Sequence, residues 1–353
     1  MWSLLCQSEC KIMTRFFVSL PKRHAMLPNR SLWPLFGVLI FLSAVLLAIQ
    51  GQPAASAPSV AASTAPAPSP AATFGYPAEL VEFVPSADNP IFREGEPGQW
   101  DQKIRERGWI LHEADGYHLW YTGYDGTKQG TRLLGYATSP DGLHWTRWPG
   151  NPLVRDHWVE DMMVVKQGDI YYMFAEGLHD QAQLLTSKDR IHWTLEGKLD
   201  VRMTNHEPIK PGPYGTPTVW IENGLWYLFY ERADLGIWLA TSRDLKVWTN
   251  VQDEPLLVPG PKLYDKRMIA LNQVIKFRDE YFGFYHGTGS PPGEPQIWTT
   301  CVVRSRDLVH WEKYPGNPIV PGNKSSSFVV FDGQKYRLYT AHNQLDVYFP
   351  RGK

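Results

Sequence analysis

The sequence predicts an all-β fold, a five-bladed β-propeller preceded by an N-terminal apolar export segment and a disordered linker. Three observations predict it. One short marker recurs five times, an aromatic run sits at a fixed place in each interval, and nothing in the body reads as a long amphipathic helix. The domain boundaries that follow are 1–50 for the export segment, 51–75 for the linker and 76–353 for the propeller.

The recurring marker is a Pro preceded by Asn or Glu: Asn89-Pro90, Asn151-Pro152, Glu207-Pro208, Glu254-Pro255 and Asn317-Pro318. Its prolines are 62, 56, 47 and 63 residues apart. A second marker is Ser-x-Asp followed by Trp, at Ser139/Asp141/Trp145, Ser187/Asp189/Trp193, Ser242/Asp244/Trp248 and Ser305/Asp307/Trp311. An Asp present once per blade serves the blade, and its Trp is expected to wedge between neighbouring sheets. The aromatic runs start at Tyr117, Tyr171, Trp226, Tyr281 and Tyr336, each just after a turn pair such as Asp115-Gly116 or Asn223-Gly224. That is hairpin chemistry. Units of about 50 residues holding four short strands are propeller blades. The last unit lacks one strand, and Glu79–Val84 is an orphan strand ahead of the first. Pairing the two closes the ring and removes both edges.

The 15 Trp, 17 Tyr and 15 Phe suit sheet-on-sheet cores and leave rings to stack on sugars. Net charge is −1, but Lys11, Arg15, Lys22, Arg23 and Arg30 all precede the body, which is therefore acidic. An acidic body argues against nucleic acid as a partner. Leu32–Ile49 is an apolar run of 18 residues after basic ones, the order of a signal peptide or a membrane anchor. Of residues 51–73, 18 are Ala, Pro or Ser, which cannot build a core. The expected location is periplasmic or extracellular, either cleaved free or tethered to the membrane through residues 32–49, and the expected state is a monomer. Cys6 and Cys10 lie before the body, so Cys301 has no disulfide partner within it and reads as a buried structural thiol. No His/Cys cluster has zinc spacing.

These markers resemble the five-bladed superfamily of glycoside hydrolase families 43, 32, 62, 68, 117 and 130, over residues 77–353. The resemblance implies carboxylates on the inner strands around a central pocket, and a carbohydrate as the partner. In the family 43 pattern, blade 1 gives an Asp base, blade 2 an Asp that tunes the acid, and blade 3 a Glu acid. Trp100-Asp101 matches the first and Glu160-Asp161 the second. Blade 3 departs, with Tyr214-Gly215-Thr216-Pro217 where the Glu is expected. The resemblance implies no required cofactor; the superfamily at times holds a central Ca²⁺, for which the sequence shows no site.

Register offers a replacement acid. Asp101 and Asp265 each lie 16 residues before an aromatic run, and Glu176, Glu231 and His286 each lie five after the start of one. The return strand of a hairpin brings these three to the end where Asp101, Asp161 and Asp265 stand. The expected catalytic set is Asp101 as base, Asp161 as tuning group and Glu231 as acid, with Glu176, Glu207 and His286 as rivals for the last role. Trp100, Glu160, Glu176, Asp265 and His286 are the expected substrate-binding residues. Glycosidic cleavage needs a protonated acid and an ionised carboxylate, and a third carboxylate raises the acid's pKa. The expected function is glycoside hydrolysis. Two alternatives stand beside it. One is a phosphorylase like family 130, using Arg105, Arg107, Lys266 and Arg267. The other is a sugar-binding propeller without catalysis, in which Asp101 and Asp161 merely cap turns.

Overall fold

The computed structural model describes residues 75–352, so the export segment and almost all of the linker lie outside the described residues. Five antiparallel blades surround one axis. Blade 1 pairs Lys103–Ile104 and Trp109–Glu113 with Gly116–Tyr124, followed by Leu133–Ser139 and Thr146–Arg147. Blade 2 holds Glu160–Gln167, Ile170–Gly177, Gln181–Ser187 and Thr194–Lys198. Blade 3 holds Gly215–Glu222, Leu225–Glu231, Ile237–Ser242 and Val247–Asn250, with Asp200–Arg202 added in parallel at its rim. Blade 4 holds Met268–Phe277, Glu280–Thr288, Trp298–Ser305 and Trp311–Lys313. The first strands of successive blades lie side by side in a closed ring.

Blade 5 is the composite one. Ser327–Phe331, Tyr336–Ala341 and Leu345–Pro350 come from the end of the described chain, and Phe83–Pro85 pairs with Leu345–Pro350 to complete it. The closure matches expectation, but the closing strand is shorter than Glu79–Val84. Ala78–Val81 instead forms one helical turn that buries Leu80 and Val81. Among the described residues, no helix is long and apolar enough to cross a membrane.

The sequence markers are structural devices. Each Asp of the Ser-x-Asp turns accepts two backbone N–H groups with its Oδ1, as Asp189 does from Ile191 and His192. Trp193, Trp248 and Trp311 meet Trp120, Phe174 and Phe229 of the preceding blade edge-on, with centroids 6.0, 5.9 and 5.9 Å apart. Asn89, Asn151 and Asn317 each hold both backbone groups of one third-strand residue: Val347, Tyr136 and Val302. Cys301 is fully buried, and burial pushes its thiol up to about 12.

Candidate active site at the propeller axis

The innermost strands break register at one shared level. In blade 2 Glu160 pairs with Glu176 and Met163 with Phe174, so two residues oppose one. Blade 3 repeats this between Gly215 and Thr218, and blade 4 between Leu271 and Gln273. At this level Arg107, Asp161, Thr216 and Ser326 have φ of 59, 50, 46 and 54°. Left-handed backbone costs a non-glycine residue about 1–3 kcal/mol and is held by surrounding structure. A bulge re-aims its side chain, and Asp161 and Thr216 stand in the bulges of blades 2 and 3.

Arg107 crosses that axis. Its backbone N–H donates to Ala341 O of blade 5 at 2.7 Å. Its Nη2 donates to Pro217 O at 2.8 Å and Thr218 Oγ1 at 2.6 Å in blade 3, and to Asn272 O at 3.4 Å in blade 4. The side chain is fully buried.

Carboxylates gather around it. Thr216 donates its N–H and its hydroxyl to Glu176 Oε1, and Asp234 N–H donates to Glu231 Oε2 at 2.5 Å. A Cβ on Gly215 would lie 2.2 Å from Glu176 Oε1 and 2.8 Å from Glu231 Oε1, so only glycine lets both acids approach. That is why blade 3 has glycine and no carboxylate at this level of its inner strand. Glu106 receives Ser325 Oγ at 3.1 Å and pairs with Arg105 at 3.2 Å, with His342 at 3.5 Å. Glu160 takes Trp158 Nε1 at 2.8 Å and Arg105 Nε at 3.3 Å. His286 Nδ1 lies 3.0 Å from Asn272 Oδ1. Glu160, Glu176 and Asp180 each place an oxygen within 4.8 Å of the others, close enough to share a cation, though Arg105 and Arg132 already supply positive charge beside Glu160.

Environment drives these acids apart. Burial, then the charges of Glu176, Glu106 and Glu160, raise Asp161 well above the usual carboxyl range. Burial and the Glu231 charge push Glu176 up to about 8. Burial with Asp234 pushes Glu231 to about 7, and burial with Glu176 pushes Asp234 to about 7. Glu106 goes the other way. Burial acts to raise it, but the His342 hydrogen bond and the Arg105 charge hold it at about 2. Burial drives His286 down to about 4, so it is neutral at pH 7. Asp161 and Glu106 are both half-buried, and Asp161 Oδ1 has no partner among the described residues.

Of the expected site residues, Glu160, Asp161, Glu176, Glu231 and His286 come together. Asp101 does not, and its expected place as base at the axis is corrected. Its Oδ2 accepts Tyr121 OH at 2.9 Å and Arg147 Nε at 2.8 Å, and Arg147 stands on the outermost strand. Asp265 repeats this in blade 4, with Tyr285 OH at 2.9 Å and Lys313 Nζ at 2.6 Å. The pair braces two blades in the same way and is not part of the pocket. Trp100 stacks on Tyr121 at 5.8 Å within blade 1. Lys266 and Arg267 are exposed. Glu106, Asp234, Ser325 and His342 were not expected. One signal pointed to the inner level: Arg107, Asp161, Thr216 and Ser326 each lie ten residues before an aromatic run, whereas Asp101 and Asp265 lie 16 before theirs.

No family model matches the chain. A 1,2-β-oligomannan phosphorylase of Thermoanaerobacter sp. is 28% identical over 225 residues, 59% of this chain and 72% of that protein. The β-1,2-mannobiose phosphorylase of Listeria innocua superposes with a TM-score of 0.58 at 15% identity, covering 76% of this chain and 96% of its own. A structure from work on family 130 mannoside phosphorylases, which contain hydrolases targeting β-1,2-mannosidic linkages in Candida mannan, gives 0.60 at 16%, covering 80% and 96%. Similar proteins thus include enzymes that phosphorolyse and enzymes that hydrolyse glycosidic bonds, and the chain shares the fold of the five-bladed β-propeller glycoside hydrolases, the superfamily that its blade markers resemble.

Proposed function

We propose that the protein hydrolyses a glycosidic bond in the axial pocket, with Asp161 as proton donor and Glu106 as the base that activates water. One observation carries this reading: two half-buried carboxyls beside the axis are driven in opposite directions, Asp161 well above the usual carboxyl range by burial and the acids around it, and Glu106 below that range by His342 and Arg105. Such a split assigns acid and base in glycoside cleavage. Asp161 protonates the leaving oxygen. Glu106 takes a proton from water as the water attacks the anomeric carbon. Glu176 and Glu231 take the tuning role, and neutral His286 binds sugar hydroxyls. The names of the relatives support a β-1,2-linked mannoside as substrate.

Hydrolysis is favoured over phosphorolysis by the fate of the cations. Arg107 is fully buried, out of reach of an entering ligand, and its Nη2 is committed to Pro217, Thr218 and Asn272. Arg105 pairs with Glu106 and Glu160. A phosphate entering among these acids would meet net negative charge. The similarity to the phosphorylases keeps phosphorolysis as the second reading. The test is turnover of β-1,2-mannobiose with and without inorganic phosphate. Free mannose at a phosphate-independent rate supports hydrolysis. Mannose 1-phosphate formed only with phosphate supports the second reading, and binding without turnover defeats both.

A further inference from the structure

Arg107 is hydrogen-bonded to three other blades of the ring, yet its side chain uses only one nitrogen. Its backbone N–H holds blade 5, and its Nη2 holds blades 3 and 4. Its Nε and Nη1 have no protein partner, although the guanidinium is fully buried. On the inner strand of the neighbouring blade, with the same left-handed backbone, Asp161 Oδ1 is a buried acceptor with no donor among the described residues. Buried polar groups in native proteins nearly always find partners. Two unused donors and one unused acceptor, on adjacent strands with opposite charge, are complementary.

We propose that Arg107 is the positioning residue of the acid. Its unused N–H groups orient the Asp161 carboxyl across one water, and its charge limits how tightly Asp161 holds its proton. This rests on the proposed role of Asp161. Arg107 has no exposed surface, so it meets no substrate and acts through Asp161. The physical need is clear from the surroundings. Glu160 and Glu176 of blade 2 and Glu106 of blade 1 act to raise Asp161, and Glu231 and Asp234 of blade 3 face Glu176 beside them. Arg105 is the other cation of that corner, while His286 of blade 4 and His342 of blade 5 face Glu106. An acid tuned only by carboxylates would hold its proton too firmly to release it to a leaving oxygen, because a general acid works best with a pKa near the operating pH. A cation fixed by three blades offsets this without closing the pocket mouth.

The experiment is a ¹³C carboxyl NMR titration of the apo protein, with the Asp161 signal assigned by its loss in Asp161→Asn. In Arg107→Met the Asp161 midpoint should rise by about one pH unit or more, since an opposite charge nearby shifts a carboxyl by that amount. Arg107→Lys keeps the charge and should leave the midpoint near the parent value. With the disaccharide as substrate, Arg107→Met should lower kcat at least tenfold, leave KM within about twofold, and move the alkaline limb of the kcat profile upward with the midpoint. An unmoved Asp161 midpoint in Arg107→Met overturns the inference. Should that variant fail to fold, Thr218→Val frees the guanidinium while keeping its charge. A moved midpoint there supports the inference and an unmoved one overturns it. The titration needs no substrate. If the midpoint moves but the parent protein turns nothing over, the positioning role stands and the catalytic reading fails.

Discussion

Two aspartates show how environment decides function. Asp101 and Asp161 both follow a bulky or acidic neighbour and both enter a first strand. Asp101 gives its carboxylate to Tyr121 and Arg147, and its twin Asp265 does the same with Tyr285 and Lys313. Asp161 keeps an oxygen unused among other acids. Asp101→Asn should therefore destabilise the protein. Because Arg147 is 36% exposed, the cost is screened to about 1–2 kcal/mol, read as a lower denaturant midpoint. An unchanged midpoint would remove the bracing role. Glu231 gives a prediction of opposite sign. Its folded carboxyl keeps its proton up to about 7, above the ordinary value near 4. The folded state thus binds the extra proton, and stability falls as pH rises from about 4 through about 7. Glu231→Gln removes that loss, so the variant should exceed the parent by on the order of 1–3 kcal/mol at pH 8 and show no gain at pH 4. Chemical denaturation at the two pH values decides it; an equal effect at both would contradict the sign.

At the scale of the element, the blades were legible because their signals are local. An Asn before Pro lies in the loop after the outermost strand and satisfies both backbone groups of a third-strand residue. Asn317 does so for Val302 at 2.9 and 2.8 Å. Asn317→Ala leaves two buried backbone groups unpaired and should cost about 2 kcal/mol, measured as a shift in urea midpoint. A shift below a few tenths would mean that water replaces the amide. The site was legible only in part, for a physical reason. Side-chain alternation brings Glu176, Glu231 and His286 to one end of their strands, since the second strands run without interruption. The first strands carry bulges, and a bulge adds residues that alternation does not count. Glycine, the usual sign of left-handed backbone, does not take these positions: Arg107, Asp161, Thr216 and Ser326 adopt it instead. Hence Asp101 was set level with Asp161, although six residues of register separate their positions. Asp234 was hidden differently. It sits in the turn after Glu231, where two residues, Ala233 and Asp234, adopt φ of 53 and 57° and fold the carboxyl back over the pocket.

The whole molecule depends on ring closure. Phe83–Pro85 joins Leu345–Pro350, so the first described strand and the last share one blade. A chain beginning at residue 75 should fold with the cooperativity of the full protein. A chain beginning at residue 87 should lose at least several degrees of Tm, because blade 5 is left with an open edge. Equal melting of the two would mean that the closing strand is dispensable. The export expected from Leu32–Ile49 concerns residues outside the described ones and stands as a proposal; fractionation that finds the protein in the cytoplasm would defeat it. The ring also explains why the acids can coexist. The first strand of blade 2, the second strands of blades 2 and 3 and the segments beside them bring Glu106, Asp161, Glu176, Glu231 and Asp234 together around one buried guanidinium, and their proton affinities spread from about 2 upward. That spread is the means of catalysis proposed for this pocket.

The central claim is that chemistry belongs to the bulge level of the axis and not to the braces of the blades. Steady-state kinetics of Asp161→Asn beside Asp101→Asn, on the proposed glycoside, tests it most directly. The account predicts that Asp161→Asn loses about 10²–10⁴ in kcat while calorimetry still detects sugar binding, and that Asp101→Asn keeps kcat within severalfold of the parent. The reverse order, with Asp101→Asn inactive and stably folded and Asp161→Asn nearly unaffected, would contradict it.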